Sequence, residues 1–196
     1  FELRSDDERQ TLHATATVLL TARLPNAPEA PAPLELAPYA RSVESVYRDV
    51  LFHGPLFRGI AEIAGCADAG IAARLEAAPA PARWITAPVR DAWIADPLAL
   101  DAAFQLMILW SVERHQAPCL PCYAASFRQY RERFPSEGVM VQVQVTALKG
   151  NQAIADFAFL DLDGDLVAEV RGAECTLDPN LAEPFRRNTL QPPVQS

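Results

Sequence analysis

A regular alternation of apolar and polar residues predicts a β-strand close to the start of the chain. From Thr11 to Leu20 every second residue is apolar, and threonines and one histidine fill most of the positions between. A period of two is typical of a strand with one buried face. Because a lone strand has nothing to bury that face against, we expect residues 1–24 to belong to a sheet whose other strands lie elsewhere.

A proline-rich segment separates this strand from the rest of the chain. Four prolines lie within the nine residues from Pro25 to Pro33. Proline lacks the amide hydrogen that a strand ladder requires, and it favours an extended backbone. We therefore assign residues 25–38 to a semi-rigid linker. Residues 181–196, which contain further prolines, are predicted to form a second linker or tail.

The segment from Pro97 to about Gln116 is predicted to form the longest helix. It contains no internal glycine or proline, and proline is well tolerated in the first turn of a helix. Its residues are apolar nearly all round, so other structure should enclose the helix. A shorter helix is predicted from Ser42 to Val50, before a Gly-Pro step that ends it.

The residues after the long helix are predicted to form an antiparallel meander. Apolar and polar residues alternate over 139–146, and strands 153–162 and 166–171 follow glycine-containing turns. One earlier strand is predicted over 71–77. A buried helix next to such a meander indicates an α+β domain of the hot-dog class, in which one sheet wraps around one long helix. We assign this domain to residues 39–180.

Composition narrows the classes of protein to which the chain can belong. Of 196 residues, 50% are hydrophobic and 21% are charged, which is typical of a folded domain and not of a disordered chain. The formal net charge of −8 disfavours binding to nucleic acid or anionic lipid. No run of about 20 apolar residues predicts a membrane span. The first residue is Phe1 and not methionine, so we expect a piece of a longer protein.

The cysteines indicate reduced thiols. Four cysteines are sparse for this length and do not suggest a disulfide-stabilised secreted protein, so we expect a cytoplasmic location. Cys119 and Cys122 have the CxxC spacing of a redox pair or of half a zinc site. No second pair completes a metal site, and two small core residues around a turn are the favoured interpretation. Nucleotide-binding and flavin-binding motifs are absent from the sequence as well.

Asp101 and Gln105 are the only polar residues between Pro97 and Ser111. At a spacing of four they lie on one helical face, where their side chains can form a hydrogen bond. Burial favours the protonated form of a carboxyl group, so Asp101 could keep a proton for donation while Gln105 orients it. The alternative is a structural one, in which an aspartate near the helix start is stabilised by the helix dipole.

Several motifs together resemble the dehydratase domains of type I polyketide synthases and of polyunsaturated-fatty-acid synthases. Residues 96–105 match the DPxxLDxxxQ pattern, and residues 51–57 resemble the GPxF motif that opens the second half of these double hot-dog domains. The segment 163–172 follows in the order of the family. The resemblance covers about residues 39–177 and implies that the chain is a second hot-dog half, preceded by the final strand of the first half.

The resemblance implies a lyase that eliminates water from a 3-hydroxyacyl thioester carried on the phosphopantetheine arm of an acyl carrier protein, without a cofactor or metal of its own. The catalytic acid would be Asp101, oriented by Gln105. The substrate-binding residues would be His53, Gly54, Pro55 and Phe57. The histidine base of the family lies in an HxxxGxxxxP motif of the first half, which surrounds none of the three histidines here. We therefore expect the base to be missing from this chain.

The implied partners are an acyl carrier protein, the first hot-dog half and other domains of a multidomain synthase, and the chain could also form a homodimer. Two other functions are compatible with the pattern. One is a non-catalytic, dehydratase-like module that serves as a structural or interaction unit of a synthase. The other is a stand-alone hot-dog acyl thioesterase, in which an aspartate on the same helix activates water.

Overall fold

The computed structural model describes residues 1–187. Its strands are β1 (Glu2–Arg4), β2 (Leu12–Thr15), β3 (Ile60–Ala67), β4 (Gly70–Leu75), β5 (Cys119–Gln129), β6 (Val139–Lys149), β7 (Gln152–Leu160) and β8 (Leu166–Leu177). Its helices are α1 (Val43–Asp49), α2 (Pro97–His115) and α3 (Ala182–Arg187). Single 3-10 turns lie at Pro55–Phe57, Pro81–Arg83 and Pro179–Leu181.

Six strands form one antiparallel sheet in the order β3-β4-β6-β7-β8-β5. Helix α2 lies against both edge strands, β3 and β5, as well as against β4 and β6, so the sheet curves around the helix. Residues 106–109 of α2 are buried, and they share the core with Phe157 and Phe159 of β7. None of the helices in the described part of the chain is sufficiently long and apolar to cross a bilayer.

Helix α2 begins and ends as its sequence predicts. The Oδ1 atom of Asp96 accepts hydrogen bonds of 2.9 Å from the amides of Leu98 and Ala99, which satisfies two of the unpaired donors of the first turn. At the other end Gln116 adopts a left-handed conformation, with φ of 55°, that closes the helix. The second carboxylate oxygen of Asp96 accepts from the amide of Ala78 at 2.8 Å. This aspartate therefore also anchors the loop 76–96 to the start of the helix.

The proline-rich linker is fixed to the outer face of the sheet by one buried glutamine. Gln142 on β6 accepts from the amide of Leu34 and donates to the carbonyl of Ala32, both at 3.0 Å. A further bridge pairs Ala37 with Cys66 of β3. Residues 25–38 contain no helix or full strand, but they follow a defined path across the sheet.

The first strand is shorter than its alternation predicts. Strand β2 covers Leu12–Thr15 and pairs with β1 in a separate two-stranded hairpin, not with the six-stranded sheet. Its residues are exposed, and so are Val18, Leu19 and Leu20, which lie outside any strand. Because the hairpin buries neither face, its apolar residues have no partner in the described part of the chain.

Two strands have no counterpart in the sequence prediction. Strand β3 has two register shifts against β4, so its residues do not alternate regularly. Strand β5 is an edge strand that contains Pro121 and is exposed over most of its length. The interpretation of Cys119 and Cys122 as core residues around a turn is therefore wrong: both lie in β5, and only Cys119 is buried.

Residues 182–187 form a short helix, in contrast to the extended tail predicted over 181–196. Residues 182–187 form α3, which packs the buried ring of Phe185 on Phe52 with a centroid distance of 4.4 Å. Burial of the apolar Phe185 ring is favourable, and it stabilises the docked helix α3 relative to an extended chain. Pro192 and Pro193, which also supported the tail prediction, lie outside the described residues.

The Gln142 contacts predict a local effect of substitution. Gln142→Ala removes both linker hydrogen bonds, and a buried hydrogen bond contributes about 1–3 kcal/mol when its loss leaves a partner unsatisfied. Exchange of the Leu34 amide hydrogen with deuterium, followed by NMR, should become at least about tenfold faster. The control is Gln144→Ala, which changes an exposed residue of the same strand. Equal exchange rates in both variants would contradict the assignment.

Candidate active site

Gln105 is the centre of a buried polar network below the first half of α2. The side chain has no exposed surface. Its Oε1 atom accepts a hydrogen bond of 2.8 Å from the hydroxyl of Tyr47. Its Nε2 atom donates to the carbonyl of Phe57 and to Oδ2 of Asp101, both at 2.7 Å. Because both amide hydrogens and the carbonyl have partners, this amide has one orientation.

Tyr47 fixes that orientation from α1. Its hydroxyl donates to Gln105 and accepts from the amide of Ile60 at 2.9 Å, so it joins α1, α2 and the start of β3. Burial raises the pKa of Tyr47 to about 12, which keeps the donating proton in place. The guanidinium of Arg58 lies over the ring, 5.6 Å from its centroid.

Asp101 lies at the open side of this network. It is the fifth residue of α2, and Asp96 already caps the helix start, so the helix does not need Asp101 as its cap. The carboxyl group of Asp101 is only partly buried, because 35% of its side chain is exposed. Gln105 holds Oδ2, whereas Oδ1 has no hydrogen-bond partner among residues 1–187. One oxygen is therefore held by Gln105, and the other is free of hydrogen bonds in the described part of the chain.

His53 lies next to the same carboxylate. Its Nε2 atom is 3.6 Å from Oδ2 of Asp101, and only 12% of its side chain is exposed. The ring stacks on Phe52 at a centroid distance of 4.3 Å. Its Nδ1 atom is buried and finds no hydrogen-bond partner in the described structure. Burial lowers the pKa of His53 and the negative charge of Asp101 opposes that change, so the neutral imidazole is favoured.

The other two histidines lie away from Asp101. His13 is exposed on the N-terminal hairpin, where its Nε2 atom is 2.6 Å from Oγ of Ser5. His115 is the last residue of α2 and contacts the ring of Trp110 at 4.9 Å. Fourteen residues of helix separate it from Asp101, which corresponds to about 21 Å.

The Gly-Pro turn supplies the backbone contact of the site. Gly54 precedes the 3-10 turn Pro55–Phe57, which directs the carbonyl of Phe57 at Gln105. The Phe57 ring begins a row of three aromatic rings with Trp84 and Trp93, at centroid distances of 5.4 and 5.8 Å. The backbone carbonyl of Phe57 and Oδ2 of Asp101 accept hydrogen bonds from the same amide nitrogen of Gln105. Phe104 and Trp110, two aromatic residues of α2, pack against the core and in the core, respectively.

Sequence reasoning did not identify Tyr47 as part of the site. The spacing of Val43, Val46, Tyr47 and Val50 predicts a buried face of α1, which is a detectable signal for burial. The hydrogen bond to Gln105 spans 58 residues of sequence, and no local pattern reports such a contact. Within residues 1–187 no group of three or more His, Cys, Asp or Glu side chains is arranged to hold a metal ion.

Comparison with known proteins places the chain in a family. Residues 24–184 match the family model described as the polyketide synthase dehydratase N-terminal domain. The chain is 37% identical over 86 residues to a polyunsaturated fatty acid synthase polypeptide of Thraustochytrium sp., which is 43% of this chain and 3% of that protein. The resemblance predicted from the motifs is confirmed. The assignment to a second half stays a prediction, since the description of the family model refers to an N-terminal domain.

Solved structures share the fold. The dehydratase domain of the CurF module of the curacin polyketide synthase gives a TM-score of 0.56 at 21% identity, and covers 74% of this chain and 49% of that structure. The dehydratase domain of PpsC from Mycobacterium tuberculosis, solved with C12:1-CoA, gives 0.55 at 21%, with 78% and 56% covered. The predicted α+β hot-dog class is confirmed. The chain spans about half the length of these two structures.

The Tyr47 contacts predict a stability effect. Tyr47→Phe leaves Oε1 of Gln105 and the amide of Ile60 buried without a partner, so the free energy of unfolding should fall by about 1–3 kcal/mol in urea denaturation. Tyr39→Phe is the matched control, because the described residues provide no hydrogen bond to that hydroxyl. A loss no larger than that of the control would contradict the role of Tyr47.

The environment of His53 predicts a pH effect. A histidine whose pKa is lowered on folding binds fewer protons in the folded state, so stability falls as the pH drops below the unfolded value of about 6.5. His53→Gln should reduce this decline, measured as the free energy of unfolding at pH 8 and pH 5.5. An unchanged decline would contradict the burial of a neutral imidazole at this position.

Proposed function

The chain belongs to the polyketide synthase dehydratase family, and on this basis we propose that it supplies the acid side of a 3-hydroxyacyl dehydratase site. The observation that carries the proposal is the partly exposed Asp101 carboxyl group, of which one oxygen is held by Gln105 and the other has no hydrogen-bond partner among the described residues. A group held in this way can act on a substrate atom without first losing rotational freedom. The helix cap, Asp96, performs a separate structural role.

The reaction requires one acid and one base. The base removes a proton from the α-carbon of the thioester, and the released electron pair forms the double bond to the β-carbon. The bond from the β-carbon to its hydroxyl oxygen breaks, and that oxygen takes the proton of Asp101 and leaves as water. Asp101 ends this step as a carboxylate, which the hydrogen bond from Gln105 stabilises.

We assign the base to a histidine of a first hot-dog half that lies outside this chain. No HxxxGxxxxP motif is present in the 196 residues. The exposed apolar residues of the N-terminal hairpin and the motif order both support a second half that packs against a first half.

We propose a carrier-bound acyl thioester as the substrate. The aromatic row of Phe57, Trp84 and Trp93 provides an apolar surface for an acyl chain next to Asp101. The PpsC dehydratase domain, which has a similar fold, was solved with C12:1-CoA. The phosphopantetheine arm of an acyl carrier protein presents the same thioester chemistry, and the carrier is the partner that we propose.

The proposal predicts the effect of one isosteric substitution. Asp101→Asn keeps the shape of the side chain but removes the transferable proton, so dehydration of a 3-hydroxyacyl carrier protein should slow by at least about 100-fold. The assay measures formation of the enoyl thioester by mass spectrometry in the complete dehydratase region. The control, Asp163→Asn, changes an exposed turn residue. An inactive parent protein would instead favour a non-catalytic module, and full activity of Asp101→Asn would contradict the acid role of Asp101.

A further inference from the structure

The Nε2 atom of His53 lies 3.6 Å from Oδ2 of Asp101, the oxygen that Gln105 also contacts. We propose that His53 is a positioning residue whose neutral Nε2–H form directs the transferable proton of Asp101 to Oδ1. The inference rests on the proposed function, because it assumes that Asp101 donates a proton. It adds an assignment of which carboxyl oxygen carries that proton and which residue determines this.

Two nitrogen atoms face Oδ2 of Asp101. Nε2 of Gln105 donates to it at 2.7 Å, and Nε2 of His53 lies 3.6 Å away. The orientation of the Gln105 amide is fixed by Tyr47 and by the Phe57 carbonyl, so its N–H group always points at Oδ2. Oδ2 accepts from one N–H group and lies near a second, so it is less basic than Oδ1. The proton of the neutral carboxyl group therefore belongs on Oδ1, which is free of donors.

The surroundings of His53 determine which ring nitrogen carries hydrogen. In the Nδ1–H form, the bare lone pair of Nε2 would face the lone pairs of Oδ2, and a buried N–H group would remain without an acceptor. In the Nε2–H form, the hydrogen lies near the lone pairs of Oδ2, and Nδ1 is a bare acceptor beside Phe52. The second arrangement replaces a repulsive contact with an attractive one, so the Nε2–H form is favoured.

The same geometry separates this role from that of a catalytic base. A base needs a bare nitrogen directed at the substrate, whereas Nε2 of His53 faces Asp101 and Nδ1 is buried. A side chain that carries only an N–H group at the Nε2 position should therefore replace His53. Glutamine places its amide nitrogen near that position. Asparagine is shorter and places its nitrogen near Nδ1, and phenylalanine keeps the ring without any donor.

The first test does not depend on activity. Long-range ¹H–¹⁵N NMR spectra of the uniformly ¹⁵N-labelled chain at pH 7 distinguish the two neutral forms of an imidazole, and the His53→Gln variant assigns the signals. We expect the His53 spectrum of the neutral Nε2–H form. A spectrum of the Nδ1–H form, of a mixture of both forms or of the imidazolium would overturn the inference and would leave the proposed function of Asp101 standing.

The second test compares three variants in the dehydration assay. His53→Gln should retain kcat to within about threefold, whereas His53→Asn and His53→Phe should lower kcat by about tenfold or more with KM nearly unchanged, because ground-state binding does not use this contact. His13→Gln is the control at an exposed histidine. A glutamine variant as slow as the phenylalanine variant would overturn the positioning role and indicate that the imidazole itself reacts.

Discussion

The fixed orientation of the Gln105 amide is the interaction on which the rest of the site depends. Its three hydrogen bonds reach α1 through Tyr47, the Gly-Pro turn through Phe57, and the candidate acid Asp101. An amide buried in an apolar core is stable only when all of its groups have partners. Folding of the core therefore places the acid group at the same time, because the amide cannot be buried without its contact to Asp101.

The sequence predicted the elements that local patterns define. Helix α2 was predictable because its proline, its lack of internal breakers and its apolar composition all act within a few residues. The interior strands β6, β7 and β8 were predictable since one of their faces is buried. Edge strand β5 was not, because an exposed strand carries no alternation of apolar and polar residues.

The candidate site also contains contacts that local spacing predicts and contacts between distant positions that it does not. Asp101 and Gln105 share one helical face and could be paired from their spacing alone. The approach of His53 to Asp101 joins positions 48 residues apart, and the contact of Tyr47 with Gln105 joins positions 58 apart. Packing of the whole domain determines such distances, and a single sequence contains no direct record of them. The motif that resembles GPxF indicated the region of His53 but not its geometry.

The two carboxylate oxygens of Asp96 have a consequence for how this fold can change during evolution. One oxygen caps α2, and the other accepts a hydrogen bond from the amide of Ala78, near the start of the loop 76–96. The loop is thus attached at both ends to the body that carries Asp101, while Trp84 and Trp93 lie on the span between. Insertions within that span can reshape the apolar surface without displacing the acid. The shape of the apolar surface and the position of the Asp101 carboxyl group can therefore be altered by independent mutations.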